Sequence, residues 1–412
     1  MLDRPRPGRY PRLVRPLTGH RPGTSFAAAM LAAALLLASC GGGSRTPRAA
    51  PRASAPVPSP TATATAVANC SNQTVLASWS LASLAAQVVV VPVDETDVGA
   101  AAPEVAQGAG GVILFGSTAP SDLGSQLAAM EAGAPGGIRP FVMTDEEGGG
   151  VQRMANLVGS LPWARDMGST MTPAQIESQA ETVGAAMLQQ GVTMDLAPVL
   201  DVDGGVGPND SDADGSRSFS ADASVATADG LAFAEGLVTA GVIPVVKHFP
   251  GLGGASGNTD DGPASTLPYS TLVNGGLLPF VAAVGAELPA VMVSNASIPG
   301  WSSGPASLSS AAIEGLLVDQ LHFEGLILTD SLSAGAIGAL GISVPQAAVD
   351  AIAAGADMIL FTATDPASMT AAVETAIVQA VGDGAVPQAR LIDAVAHVLT
   401  AKDVDLCPSA AG

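Results

Sequence analysis

From residue 88 onward, short apolar runs rich in β-branched residues alternate with longer Ala-rich stretches. Eight runs, at 88–94, 111–116, 140–145, 193–203, 242–248, 290–297, 325–330 and 357–361, read as strands. Between them, 173–190, 223–240, 272–284, 309–321, 345–354 and 366–381 carry helical spacing, and 387–401 predicts a closing helix. Strands that are apolar throughout belong to a parallel sheet covered on both faces. Eight strand–helix repeats predict an α/β fold, a single-domain (β/α)8 TIM barrel; the runner-up is a doubly wound open sheet. A barrel makes a definite demand. Polar residues ending the strands must converge at one mouth, where barrel enzymes carry their active sites. Asp94, Asp145, Asp201, Lys247, His248, Asn295 and Asp330 are the residues so placed.

Composition narrows the function classes. The 412-residue chain is 48% hydrophobic but only 3% aromatic, so its core must be packed from Ala, Val, Leu and Ile. A net charge of −21 argues against nucleic acid, which demands a basic surface. The first segment, 1–39, predicts an export signal: Arg4, Arg6, Arg9, Arg12 and Arg15 precede the apolar stretch 26–37, which is short for a membrane span. It ends in Leu37-Ala38-Ser39-Cys40, which resembles a bacterial lipobox. Lipidation of Cys40 would anchor the protein to the outer face of the cell membrane. Segment 40–69, with its Pro/Ala/Ser/Thr-rich stretch at 44–68, predicts an extended spacer. The folded domain is expected over 70–407, with 408–412 as a tail. Its two cysteines, Cys70 and Cys407, stand at opposite ends, and in an oxidising compartment they are expected to pair. The alternative is two buried thiols.

The chemistry lies in ordered motifs. These are Thr144-Asp145-Glu146-Glu147-Gly148-Gly149-Gly150-Val151-Gln152-Arg153, Asp195-Leu196-Ala197-Pro198-Val199-Leu200-Asp201-Val202-Asp203, Lys247-His248-Phe249-Pro250-Gly251 and Leu328-Thr329-Asp330-Ser331-Leu332, with Arg217-Ser218-Phe219 as a shorter fifth. In this order they resemble glycoside hydrolase family 3, in its single-domain β-N-acetylglucosaminidase branch, and the match spans most of the folded chain. The resemblance implies a retaining glycosidase that needs no cofactor and acts on N-acetylglucosamine-containing glycan; a monomer is expected. It implies Asp330 as nucleophile, attacking the anomeric carbon. It implies Asp145, Arg153, Arg217, Lys247 and His248 as substrate-binding residues. Lys and Arg can only donate hydrogen bonds, which suits sugar oxygens.

One segment departs from the pattern. This branch places a His acid/base in an Asp-Ser-His triplet on the loop after the fifth strand. Here the triplet aligns with Asn258-Thr259-Asp260, and the His usual after Pro-Gly is Leu252. Two readings stay open. Asp260 (or Asp261) supplies the proton as a carboxylic acid, or the loop has lost its acid and the barrel turns over slowly or only binds sugar or muropeptide. A third, a two-lobed solute receptor, would be excluded by a closed barrel. Asp210-Ser211-Asp212-Ala213-Asp214-Gly215 matches half of a calcium loop, but the final Glu position is Ala221, so no metal is expected.

Overall fold

The computed structural model describes residues 70–407. Seven strands form one parallel sheet: β1 (Val90–Asp94), β2 (Gly111–Phe115), β3 (Phe141–Thr144), and, after a small hairpin of β4 (Glu146–Gly148) and β5 (Val151–Gln152), β6 (Met194–Asp195), β7 (Ile243–Phe249), β8 (Ala290–Val293) and β9 (Leu326–Thr329). The sheet order follows the chain order. The eighth segment, 357–361, lies between the two edges. Met358 bridges Leu328 on one side and Ile359 bridges Val89 on the other, both parallel. Backbone bonds from Thr329 N to Met358 O (3.0 Å) and from Val90 N to Ile359 O (3.1 Å) close the ring. The α/β barrel fold is therefore as expected, and a two-lobed architecture is excluded for these residues.

Alternation along each strand separates two apolar layers. Ile113 points into the barrel with Val90, Met143, Met194, Val245, Met292, Leu328 and Met358. Its neighbours Val112 and Leu114 point out, under the helices. The helices start where short polar side chains can take up free N–H groups. Thr172 and Gln175 form a capping box for Pro173–Gln189, Asp222 caps Ala223–Ala240, and Asp365 caps Pro366–Gly382. At the end opposite the mouth, Asp357 is bound by Arg390 (2.6 Å) and His397 (3.1 Å), which fastens the last helix, Gln388–Ala401. Cys70 and Cys407 form a disulfide, as expected.

Three elements differ from expectation. The strand expected at 193–203 is regular only over Met194–Asp195, because Pro198 has no N–H for a ladder. The helix expected at 272–284 is two pieces, Tyr269–Leu272 and Leu278–Gly285. Gly275 and Gly276 interrupt it, and Pro279 suits the first turn of the second piece. The helix expected at 309–321 is a π-helix over Ala311–Val318, whose wider turns bury Ala312, Ile313, Leu316 and Leu317 together. The expected signal, Cys40, spacer and C-terminal tail lie outside the described residues. Among the described residues, no helix is long and apolar enough to cross a membrane.

Candidate active site

The site begins with β3, which delivers Asp145 to the mouth, and with the hairpin that follows. Glu146 holds that hairpin in shape: Oε1 accepts N–H from Arg153 (2.7 Å) and Met154 (2.6 Å), and Oε2 accepts from Gln152 Nε2 (2.8 Å). Burial raises its pKa to about 7 despite these bonds. The turn needs glycine. Gly149 has φ +58°, and a Cβ there would sit 2.0 Å from the Trp163 ring. The return strand carries Arg153 back over Asp145, with Nη2 to Oδ2 at 3.5 Å.

β7 contributes Lys247 and His248. A regular strand would send neighbours to opposite faces. The register between β7 and β8 slips between Val246 and Phe249, and both side chains reach groups at the mouth. Lys247 Nζ lies 2.8 Å from Asp145 Oδ1 and 2.6 Å from Glu147 Oε1. Arg217 forks onto Glu147, with Nε to Oε2 and Nη2 to Oε1 both 2.8 Å. Glu147 thus ties together two of the residues expected to bind substrate. Burial alone would push its carboxyl up, but Arg217 and Lys247 hold it well below the usual range. Arg217 comes from the long loop after β6, which Arg165 pins through the carbonyls of Asp203 (2.6 Å), Gly215 (2.9 Å) and Ser218 (3.2 Å).

His248 Nδ1 lies 2.6 Å from Asp201 Oδ2, and Nε2 lies 3.4 Å from Arg217 Nη2. Asp201 also accepts N–H from His248 (3.0 Å) and Leu252 (2.6 Å), and burial raises its pKa to about 7. Asp201, Asp214 and His248 bring two carboxylates and an imidazole within 4.8 Å of one another, a donor set that transition metals use. Its spacing does not fit an ion. Two ligands each ~2.0–2.1 Å from one metal stand about 3 Å apart or more, whereas Asp201 and His248 are at the 2.6 Å of a hydrogen bond. The Arg217 guanidinium, 3.8 Å from Asp214, already supplies positive charge.

Asp330 follows β9 and is half-buried. Its Oδ1 accepts N–H from Ser331 (2.7 Å), and its N–H is fixed to Val293 O (3.0 Å). Asn295 steadies the next turn by donating to Ser331 O (2.7 Å) while accepting from Ser307 (2.6 Å). Burial raises the Asp330 pKa; His248 opposes that rise, Asp260 adds to it, and Lys247 opposes it. Those three groups therefore act on one carboxyl. Asp260 is exposed, on the loop that follows β7. Gly335 N donates to Asp260 O (2.8 Å) and Ala336 N to Thr259 O (2.9 Å), fastening the loop to the segment after β9. Glycine also lets that loop pack: a Cβ on Gly253 would stand 2.2 Å from Val202 O.

Of the expected strand-end residues, Asp145, Asp201, Lys247, His248 and Asp330 meet at the mouth, joined by Arg153 and Arg217. Asp94 does not join them. It is exposed and folds a local turn by accepting from Thr96 N (2.8 Å). Glu147 and Asp214 went unassigned in the sequence, although both lie in segments noticed there. Glu147 sits two residues from Asp145, and Asp214 sits in the calcium-like run.

The residues 86–401 match the glycosyl hydrolase family 3 N-terminal domain model. The chain is 36% identical over 300 residues to the β-hexosaminidase LpqI of Mycobacterium tuberculosis, covering 71% of this chain and 75% of that one. Among solved structures, M. tuberculosis LpqI superposes with a TM-score of 0.72 at 34% identity, covering 81% of this chain and 96% of that one. The β-N-acetylhexosaminidase of Beutenbergia cavernae superposes at 0.71 with 30% identity, covering 79% and 99%. By the extent of that model and the identity of these relatives, the chain belongs to glycosyl hydrolase family 3.

Proposed function

We propose that the protein is a retaining exo-β-N-acetylhexosaminidase acting on cell-wall fragments, anchored through Cys40 to the outer face of the cell membrane. The observation that carries the reading is the grouping of a carboxylate nucleophile candidate, Asp330, with Lys247, His248 and the loop carboxyl Asp260 at one mouth. In this reading Asp330 attacks the anomeric carbon and forms a glycosyl-enzyme ester, while Asp260 protonates the departing oxygen. Asp260 then takes a proton from water as that water opens the ester. Asp145 accepts from sugar hydroxyls, and Arg153, Arg217 and Lys247 donate to sugar oxygens. The names of the relatives support the hexosamine specificity.

Loop position 260 favours a second reading. With Asp in place of the branch's His, the barrel binds sugar without turning it over. An aryl β-N-acetylglucosaminide separates the two. The first predicts turnover by wild type, a loss of kcat in Asp330→Asn of on the order of a thousandfold or more, and a marked loss in Asp260→Ala. Full activity in Asp260→Ala would remove that residue as the acid. Binding of N-acetylglucosamine by an inactive wild type would establish the second reading. For the anchor, Cys40→Ala is expected to release the protein from the membrane fraction.

A further inference from the structure

The loop after β7, which carries Asp260, is tied down on several sides. Asn258 N donates to Asp210 O (3.3 Å), on the long loop after β6. Ser265 pairs with Ser297, beyond β8, through a parallel bridge, and their hydroxyls lie 2.9 Å apart. Between these ties, Gly335 N and Ala336 N reach Asp260 O (2.8 Å) and Thr259 O (2.9 Å) from the segment after β9. That segment begins at Asp330 and is itself fixed. Leu332 N donates to Leu360 O (2.8 Å), and Asn295 Nδ2 donates to Ser331 O (2.7 Å). The candidate acid is thus seated on the stretch of chain that carries the candidate nucleophile.

The seat is steric as well as polar. A Cβ on residue 335 would stand 2.6 Å from Asp261 C and 2.7 Å from Asp260 O. Both contacts are to backbone, so no change of rotamer relieves them, and the loop itself has to move. The φ of Gly335 is not in the left-handed region, so it is close approach that requires glycine here.

Distance matters because proton transfer is short-ranged. In the first step Asp330 bonds to the anomeric carbon as the bond from that carbon to the glycosidic oxygen breaks. The acid's proton goes to that oxygen, which leaves as an alcohol. The acid must come within hydrogen-bond reach of the oxygen, and a misplacement of about 1 Å can cost about a hundredfold. The short side chain of Asp leaves little slack to follow a displaced backbone.

We propose that Gly335 is a positioning residue for proton transfer: the close approach that only glycine allows there sets the reach of Asp260 to the glycosidic oxygen. The proposal rests on the reading of Asp260 as the acid. Its signature is dependence on the leaving group. Dinitrophenolate departs without a proton, whereas phenolate, the base of an acid with a pKa of about 10, needs one.

The test compares kcat/KM, which reports the first step, for dinitrophenyl and phenyl β-N-acetylglucosaminides. Wild type, Asp260→Ala, Gly335→Ala, Ala336→Pro and Gly338→Ala are measured alongside their melting temperatures. Ala336→Pro removes the second N–H of the seat at a position where the first turn of a helix tolerates proline, and it decides the matter if Gly335→Ala does not fold. In Gly335→Ala and Ala336→Pro the phenyl substrate is expected to lose about ten- to a hundredfold and the dinitrophenyl substrate less than about twofold. Asp260→Ala should show the same split, at least as large. Gly338→Ala, whose Cβ would meet nothing within 4 Å, should keep both rates. Equal losses on the two substrates, or none, in Gly335→Ala and Ala336→Pro would overturn the proposal alone, provided Asp260→Ala shows the split. No split in Asp260→Ala would overturn the reading of Asp260 as the acid, and the proposal with it.

Discussion

At the scale of single residues, Glu147 organises more of the site than the residues its sequence motif made conspicuous. It is the shared counter-charge of Arg217 and Lys247, with side-chain exposure of 3%. In Glu147→Ala the buried Arg217 loses its forked partner and Lys247 keeps only Asp145, which is expected to cost about 3–5 kcal/mol. Thermal or urea denaturation checks this, and KM should rise because both donors lose Glu147. The pH dependence follows from the direction of the shift. The folded-state pKa is lowered, so the stabilisation is present above the ordinary Glu value and is lost as pH falls through the lower folded one. The stability gap between wild type and Glu147→Ala should therefore be full at neutral pH and close only in strong acid. A gap that narrows between pH 8 and 6 would contradict the assignment.

At the scale of elements, what the sequence made legible was the direction of each strand, and what it hid was local irregularity. The polar ends of the apolar runs at Asp145, Lys247 and Asp330 marked the mouth correctly, because a parallel strand between helices has only one end that can carry polar groups into a cleft. The same logic misplaced Asp94, whose side chain finds a nearer partner in its own turn. The irregularity in β7 at Lys247 and His248, which both serve one site, leaves no mark in hydrophobic period, nor does the fork between Arg217 and Glu147, which lie 70 residues apart. The β4–β5 hairpin was similarly hidden, since two- and three-residue strands carry too few positions to show alternation. Its three glycines were visible, and their reason is steric. Gly149→Ala would drive a methyl into Trp163 at a positive φ. The hairpin should shift and carry Arg153 away from Asp145. The expected outcome is a raised KM with kcat less affected, together with a loss of about 1–3 kcal/mol in stability, measured by steady-state kinetics and melting.

At the scale of the molecule, the barrel closes through the 357–361 segment, and the two ends of the described chain are joined by Cys70–Cys407. The pairing was legible from cysteine count and spacing. The closure was legible as an eighth apolar run, although the ring is completed by single bridges rather than a regular ladder. A double Cys70→Ser, Cys407→Ser variant is expected to lose about 2–5 kcal/mol of stability. Its kcat at low temperature should be unchanged, because neither cysteine takes part in the network at the mouth. A fall in kcat without a fall in melting temperature would mean that the chain ends reach the site.

The central claim is that Asp330 becomes covalently bonded to the sugar, and trapping that bond tests it most directly. A fluorinated N-acetylglucosaminyl inactivator, which forms the glycosyl-enzyme quickly and releases it slowly, would be incubated with the wild-type protein. Peptide mass spectrometry would then locate the adduct. A glycosyl mass on the peptide containing Asp330, absent in Asp330→Asn, is the predicted result. An adduct on any other residue, or turnover with inverted anomeric configuration and no adduct, would contradict the account.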